Sequence, residues 1–275
     1  RPLYIHPPPP FNPQSPRAKN RGRRPDFRLP SAPDLEKIPP MPSMDDIYRR
    51  HRAEYDRLVA AEDHARNLPR LLHSLVDWRG KTVLEGGLGT GRTTALYIEQ
   101  ARRVAGFDRE PHMLEAARER LARFADKLEL RSADNLALPL LPEKADIFVE
   151  GWSWGHSIVD GPGSVEDIAA ALFANIRPNL VPGAPVILVE TLGTLALSPA
   201  APHPRLAEFY QLLQSRHGLR QIAISTDYRF PSVAEAAETL GFFFGDDMAR
   251  AVRNGGSGTV PEWTGVWCGE IPPPA

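Results

Sequence analysis

The sequence predicts a doubly wound α/β domain, and three observations carry that expectation. Short apolar runs alternate with helical stretches between residues 81 and 190, the first run opens into a turn with four glycines in six positions, and three of the runs close on carboxylates. Such alternation means parallel strands joined by right-handed crossovers, with helices on both faces of the sheet. Ligands of such sheets lie outside the carboxyl ends of the strands, where these turns and acids stand.

Taken in order, Ser43-Met44-Asp45-Asp46 reads as a helix start of the capping-box kind. Ile47, Tyr48, His51, Tyr55, Leu58 and Val59 then recur at helical spacing and predict one buried face, an N-terminal helical cap. Asn67-Leu68-Pro69 interrupts that pattern, and a second helix is expected to run to Trp78. Strands are expected near 81–85, 103–108, 127–132, 145–150 and 185–190, with the sixth and seventh in 219–225 and 264–268. A helical stretch is expected after the glycine turn. Ser164-Val165-Glu166-Asp167 and Ser232-Val233-Ala234-Glu235 read as further helix starts.

The first 43 residues are of another material. They hold 13 of the 29 prolines, and residues 1–30 carry seven Arg or Lys against one acid, so a disordered, extended tail is expected there and the folded domain over 44–275. The basic run from Arg17 to Arg28 reads either as a docking arm or as a plain solvated leader. The chain begins with arginine, and a start at Met41 or Met44 is an alternative expectation. The formal net charge of −1 gives no global field for capturing nucleic acid or an anionic membrane. Cys268 is the single cysteine, which excludes a disulfide framework and a zinc-binding cysteine cluster and fits a reducing, cytoplasmic compartment. The longest apolar runs have strand length, far below the ~20 residues of a membrane span.

The chemistry concentrates in Val83-Leu84-Glu85-Gly86-Gly87-Leu88-Gly89-Thr90-Gly91-Arg92-Thr93-Thr94. Glycines there admit positive φ and clear side chains from the approach face. A dinucleotide fold asks for GxGxxG, whereas Gly87, Gly89 and Gly91 give GxGxG, with Arg92 where the third glycine of that fingerprint would stand. This favours S-adenosylmethionine over NAD. A second run closes on Asp108, 23 positions after Glu85, where an α/β cofactor fold places its acceptor for ribose hydroxyls. A third leads to Asp134, and the three acids Glu85, Asp108 and Asp134 then line one edge of the sheet.

These pieces, with Gly106-Phe107-Asp108-Arg109-Glu110-Pro111-His112-Met113-Leu114, Ser132-Ala133-Asp134-Asn135-Leu136-Ala137-Leu138-Pro139, Ala145-Asp146-Ile147-Phe148-Val149-Glu150-Gly151 and the run 176–190, stand in one order over residues 81–191. In that order the chain resembles a class I S-adenosylmethionine-dependent methyltransferase of the small-molecule, type 11 or ubiquinone-biosynthesis-like group. The resemblance implies a Rossmann-like, seven-stranded sheet with an antiparallel last strand. It implies that Glu85 and the backbone of Gly86, Gly87, Gly89 and Gly91 hold the methionine end, that Asp108 accepts from both ribose hydroxyls and Asp134 from the adenine amino group, and that Arg109, Met113, Asn135 and Leu136 wall the adenine. Ala184-Pro185 departs from the family's two glycines, at a turn away from the cofactor.

The resemblance sends the segment Glu150-Gly151-Trp152-Ser153-Trp154-Gly155-His156-Ser157 beneath the sulfonium, with Gly151 at the turn. Methyl transfer is an in-line displacement in which the sulfonium loses its charge, so positioning and a dry cage matter. Trp152 and Trp154 are candidates for that cage, and His156 for a general base, with Glu150 and Asp160 behind it. A core role for the tryptophans and histidine stays open, as it does for Tyr55, the 242–244 Phe triplet, Tyr228 and Glu262. No His, Asp or Glu spacing points to a metal. The leading function is methyl transfer from S-adenosylmethionine to a small-molecule acceptor, with oxygen, nitrogen or carbon left open. An NAD-dependent oxidoreductase and a non-catalytic adenosyl-binding or interaction module are the alternatives. Nucleic-acid methylation is disfavoured, because Gly151-Trp152-Ser153-Trp154 stands where an Asn/Asp-Pro-Pro-aromatic motif would. The residues leave the oligomeric state undetermined.

Overall fold

The computed structural model describes residues 52–271. The tail expected over 1–43, the helix start at Ser43 and the face positions Ile47, Tyr48 and His51 lie outside the described residues. In chain order the elements are α1 (Arg52–Ala61), α2 (Asn67–Leu75), β1 (Thr82–Gly86), β2 (Arg103–Asp108), α3 (Pro111–Arg120), β3 (Leu128–Ser132), β4 (Ile147–Gly151), α4 (Trp154–Asp160), α5 (Val165–Ile176), β5 (Pro185–Thr194), α6 (Pro204–Ser215), β6 (Arg220–Ser225), β7 (Tyr228–Arg229), α7 (Val233–Phe244), α8 (Asp246–Gly255), β8 (Thr259–Val260) and β9 (Glu262–Glu270).

Seven strands form one sheet in the order β3-β2-β1-β4-β5-β9-β6, and β7 and β8 form a separate small pair. The strands β1 to β5 pair in parallel, and β9 runs antiparallel between β5 and β6. This is the doubly wound, mostly parallel sheet with an antiparallel last strand that the sequence led us to expect. The strand order reverses at β1 and β4, so the switch point falls between the turn after β1 and the exit of β4.

Both faces of the sheet are covered, which explains why β1 is buried along its whole length. On one face Leu84, Phe148, Val186 and Leu188 pack under α5 and α6. On the other Val83, Ile147, Val149, Ile187 and Val189 pack against Leu68 and Leu72 of α2, Trp78, Tyr97 and Ile98. A third cluster joins Leu58 and Ala61 of α1 to Tyr228, Phe230, Ala237, Leu240 and Phe243. It forms a cap built from both ends of the described chain.

Local signals account for the helix starts. Ser164 Oγ accepts from Asp167 N at 3.1 Å, and Ser232 Oγ accepts from Glu235 N at 3.1 Å. The second helix begins at Asn67 and ends at Leu75, short of Trp78. Its first turn is held from upstream, where Asp63 accepts from Asn67 N at 2.7 Å and from Leu68 N at 2.9 Å.

One expectation is corrected. The stretch after the glycine turn holds only a 3-10 turn over Thr94–Leu96. Thr94 and Tyr97 spend their hydroxyls on Glu85, the Tyr97 ring stacks on Trp78 at 4.4 Å, and the chain must be back in β2 by Arg103. Side chains tied downward to the strand leave no room for a regular helix to elongate.

Candidate functional site

The site is assembled at the carboxyl edge of β1, β2 and β4. Gly87, Gly89 and Gly91 take φ of 59°, 58° and 73°, so alternate positions of the loop occupy the left-handed region that favours glycine. A Cβ on Gly89 would meet nothing within 4 Å, which marks the open face of the loop. On Gly87 it would stand 1.7 Å from Ser153 Oγ, and on Gly91 2.6 Å from Leu121 Cδ1. Leu88 N donates to Phe107 O at 2.9 Å, while the Leu88 side chain folds down onto Gly106, where a Cβ would meet it at 2.3 Å. Gly106 is thus part of the loop's seat, and the sequence signal for it was a glycine inside a strand.

Two carboxyl groups hold this loop. Asp108 Oδ2 accepts from Gly89 N at 2.8 Å and its Oδ1 from Glu110 N at 2.9 Å. Burial raises the Asp108 pKa, against the two backbone donors. Glu85 is buried and turns beneath the loop, accepting from Thr94 Oγ1 at 2.6 Å and from the Tyr97 hydroxyl. Burial pushes its pKa up to about 7, against those two hydroxyls. Its carboxyl therefore supports the loop from below.

The remaining expected residues spread around this seat. Asp134 Oδ1 accepts from Leu136 N at 2.8 Å in a turn just past β3, and Leu136 is exposed beside it. Arg109 is exposed and pairs with Glu110 at 3.4 Å, and Met113 is buried on α3. Asn135 also covers the start of the glycine loop. Its Nδ2 donates to Ser153 Oγ at 2.7 Å, and its Oδ1 lies 2.7 Å from where a Gly86 Cβ would stand, so it covers Gly86 and Gly87. That Oδ1 and Thr90 Oγ1 are buried without hydrogen-bond partners among the described residues. Gly151 packs against Thr93, whose Oγ1 would be 2.5 Å from a Cβ there.

The segment after β4 departs most from expectation. Trp154 is fully buried between Phe148 and Phe173, with ring centroids at 5.4 and 5.1 Å, so it is a core residue and no part of a cage. Trp152 adopts φ 54°, donates its N–H to Val189 O at 2.7 Å and lies under the Arg92 guanidinium at 3.9 Å. A non-glycine residue held at positive φ marks a constrained exit from the strand. Glu150 is buried, its Oε2 accepts from Ser153 N and Trp154 N, both at 3.0 Å, and its Oε1 has no hydrogen-bond partner among the described residues. Beside it Glu190 accepts from Gly155 N at 2.6 Å. Burial raises both pKa values, Glu150 further because the Glu190 charge adds to it. His156 is 64% exposed and lies 4.0 Å from the exposed Asp160. Among the described residues it has no buried partner to fix its tautomer.

Sequence reasoning missed a buried polar cluster under the cap. Arg92 is held by Glu62, just past α1, at 2.7 and 3.2 Å, a bidentate pair between positions 30 residues apart. Tyr55 and Tyr228 lie within electrostatic reach of that pair, and so does Glu262. Burial pushes the Glu262 pKa up to about 8, with the Glu62 charge adding to the rise and Thr194, Thr191 and Arg92 opposing it. The signal was an arginine closing a glycine loop, read earlier only as an absent glycine. Among the described residues no group of three or more His, Cys, Asp or Glu is arranged to hold a metal, and no helix is long and apolar enough to cross a membrane.

Residues 83–177 match the family described as Methyltransferase domain. An uncharacterized methyltransferase of Geobacillus kaustophilus is 28% identical over 53% of this chain and 66% of its own length. A probable S-adenosylmethionine-dependent methyltransferase of Mycolicibacterium smegmatis is 27% identical over 85% of this chain and 78% of its own. The chain spans between about half and two thirds of the length of the first curated relatives it matches. A solved structure from Bacillus halodurans, named "putative methyltransferase", aligns over 76% of this chain and all of its own at 14% identity with a TM-score of 0.51. At that identity the likeness is one of fold.

Two predictions follow from the buried carboxyls. Tyr97→Phe keeps the stack on Trp78 but removes one of the two hydroxyls that serve Glu85, and is expected to destabilise the chain by about 1–3 kcal/mol in urea unfolding. An unchanged unfolding midpoint contradicts the supporting role of Glu85. Glu85 and Glu262 keep their protons when folded at a pH where the unfolded chain, with carboxyls near 4.5, has lost them. The folded state then binds more protons, so stability falls as pH rises from about 4.5 to about 8 and levels beyond it. Burial lowers the His217 pKa, a smaller effect of opposite sign below its ordinary value of 6.5. Urea midpoints measured across that range test the slope, and a rising midpoint overturns it.

Proposed function

The chain belongs to the class I S-adenosylmethionine-dependent methyltransferases, and from that premise we propose that it transfers a methyl group from S-adenosylmethionine to a small-molecule acceptor and releases S-adenosylhomocysteine. The observation that carries this reading is the Gly87–Gly91 loop, open above Gly89 and tied to Asp108 through the Gly89 N–H.

The residues present fit the adenosyl group. Asp108 keeps lone pairs beyond its two backbone bonds for the ribose hydroxyls, and Asp134 keeps Oδ2 for the adenine amino group. The orphaned Asn135 Oδ1 and Thr90 Oγ1 give buried polar atoms beside the loop, and Asn135 with Ser153 lines the methionine end. When bound, the cofactor supplies a methyl group activated on a positively charged sulfur. The chain's own part is to fix that group over the switch point between β1 and β4, exclude water beneath the cap of α1, β7 and α7, and present the acceptor in line. His156 and Trp152 border the exit of β4 and remain candidates for acceptor contact.

A dinucleotide occupant is disfavoured on structural grounds. The position that a pyrophosphate fingerprint needs as glycine is Arg92, and its side chain is committed to Glu62 and Trp152. The single cysteine, Cys268, suits a reducing compartment, in keeping with a cytoplasmic enzyme.

Calorimetric titration with S-adenosylmethionine, S-adenosylhomocysteine and NADH tests the proposal. Both adenosyl ligands are expected to bind and NADH to give no heat. Asp108→Asn is expected to weaken S-adenosylhomocysteine by about 10- to 100-fold, the scale of about 1–3 kcal/mol for a lost buried acceptor. Undiminished binding by the variant, or preference for NADH, contradicts the assignment.

A further inference from the structure

Resting on that reading, we propose that Glu262 lines the acceptor site and takes the proton of an acceptor hydroxyl or amine as methyl transfer occurs. Glu262 opens the antiparallel strand β9, opposite Thr194, so it stands at the same carboxyl edge as the glycine loop. The pairing with β5 shifts register between Thr191 and Thr194, which bends the sheet at this point. The residue is 3% exposed, its Oε1 accepts from Thr191 Oγ1 at 3.4 Å, the Thr194 hydroxyl also favours its ionised form, and Oε2 is buried with no close hydrogen-bond partner among the described residues. A buried carboxyl oxygen left unpartnered in a folded chain calls for a function.

The groups facing it come from four elements. They are Tyr55 on α1 and Glu62 just past it, Arg92 after the glycine loop, Tyr228 on β7 and Asp227 just before it, which accepts from Glu262 N at 3.0 Å. Arg92 is the cation of the group, and its guanidinium is already committed to Glu62. Glu262 is therefore a carboxyl with no cation of its own. Arg92 in turn lies on Trp152, next after Gly151 at the end of β4, so one wall runs from the glycine loop through Arg92 and Trp152 toward Glu262.

This sets the class of acceptor. As the acceptor's lone pair forms its bond to the methyl carbon, the carbon–sulfur pair stays with the departing thioether, and the proton on the acceptor oxygen or nitrogen passes to Glu262 Oε2. A base of this kind works best when it titrates near the working pH, which burial arranges here. A carbon acceptor with no acidic proton has no use for the group.

The test compares two ligands that share every titrating group and differ by one methyl and one positive charge on sulfur. Affinities for S-adenosylmethionine and S-adenosylhomocysteine are measured by calorimetry between about pH 6.5 and pH 9. If Glu262 faces the reacting centre, the preference for the cationic ligand rises by about 3- to 10-fold over that range, the scale of two charges interacting across a partly buried site. In buffers of different ionisation heat, S-adenosylmethionine also releases a fraction of a proton near neutral pH that S-adenosylhomocysteine does not. Glu262→Gln flattens the ratio, and Thr194→Val, which removes a hydroxyl favouring the ionised carboxyl, moves the inflection to higher pH. A ratio independent of pH in the parent chain, or equally dependent in Glu262→Gln, overturns the inference alone. Failure of both ligands to bind overturns the methyltransferase reading beneath it.

Discussion

A peptide loop stays at left-handed angles only if something holds it there, and here two carboxyl groups do so from different sides. Asp108 grips the Gly89 N–H from the neighbouring strand, and Glu85 ties Thr94 and Tyr97 down beneath the loop. The remaining features of the site depend on that clamp. It leaves the Gly89 face open, brings Gly87 against Ser153, and delivers Arg92 to the cap at the point where Glu62 receives it.

The carboxyl edge of the sheet is also where burial is least favourable. Glu85, Glu150, Glu190 and Glu262 are all buried there, and burial raises every one of their pKa values. Glu85, Glu150 and Glu190 receive backbone or hydroxyl donors that account for their presence as supports. Glu150 Oε1 and Glu262 Oε2 each lack a hydrogen-bond partner among the described residues, and of the two it is Glu262 that lies within electrostatic reach of the Arg92–Glu62 pair.

What the sequence made legible follows from how local its signals are. Strand positions were readable from apolar runs between turns, and the parallel pairing from the alternation with helices, because both depend on neighbours in the chain. The seat of the glycine loop was readable for the same reason. The 3-10 turn in place of a helix was not, because it depends on Thr94 and Tyr97 reaching back to Glu85, a tertiary override of helical propensity. Trp154 looked like part of a cage and proved to be core, since its direction is set by the Glu150 carboxyl that starts α4. The Arg92–Glu62 pair joins positions 30 residues apart and the setting of Glu262 brings residues from both ends of the described chain together, and no local pattern announces such contacts.

The most direct measurement is a diffraction structure of the chain soaked or grown with S-adenosylhomocysteine. The account predicts the ribose hydroxyls within hydrogen-bond distance of the Asp108 carboxylate, the adenosyl group above Gly89, and the sulfur between the Gly87 turn and the exit of β4. An adenosyl group bound elsewhere, with Asp108 still serving only Gly89 and Glu110, contradicts it.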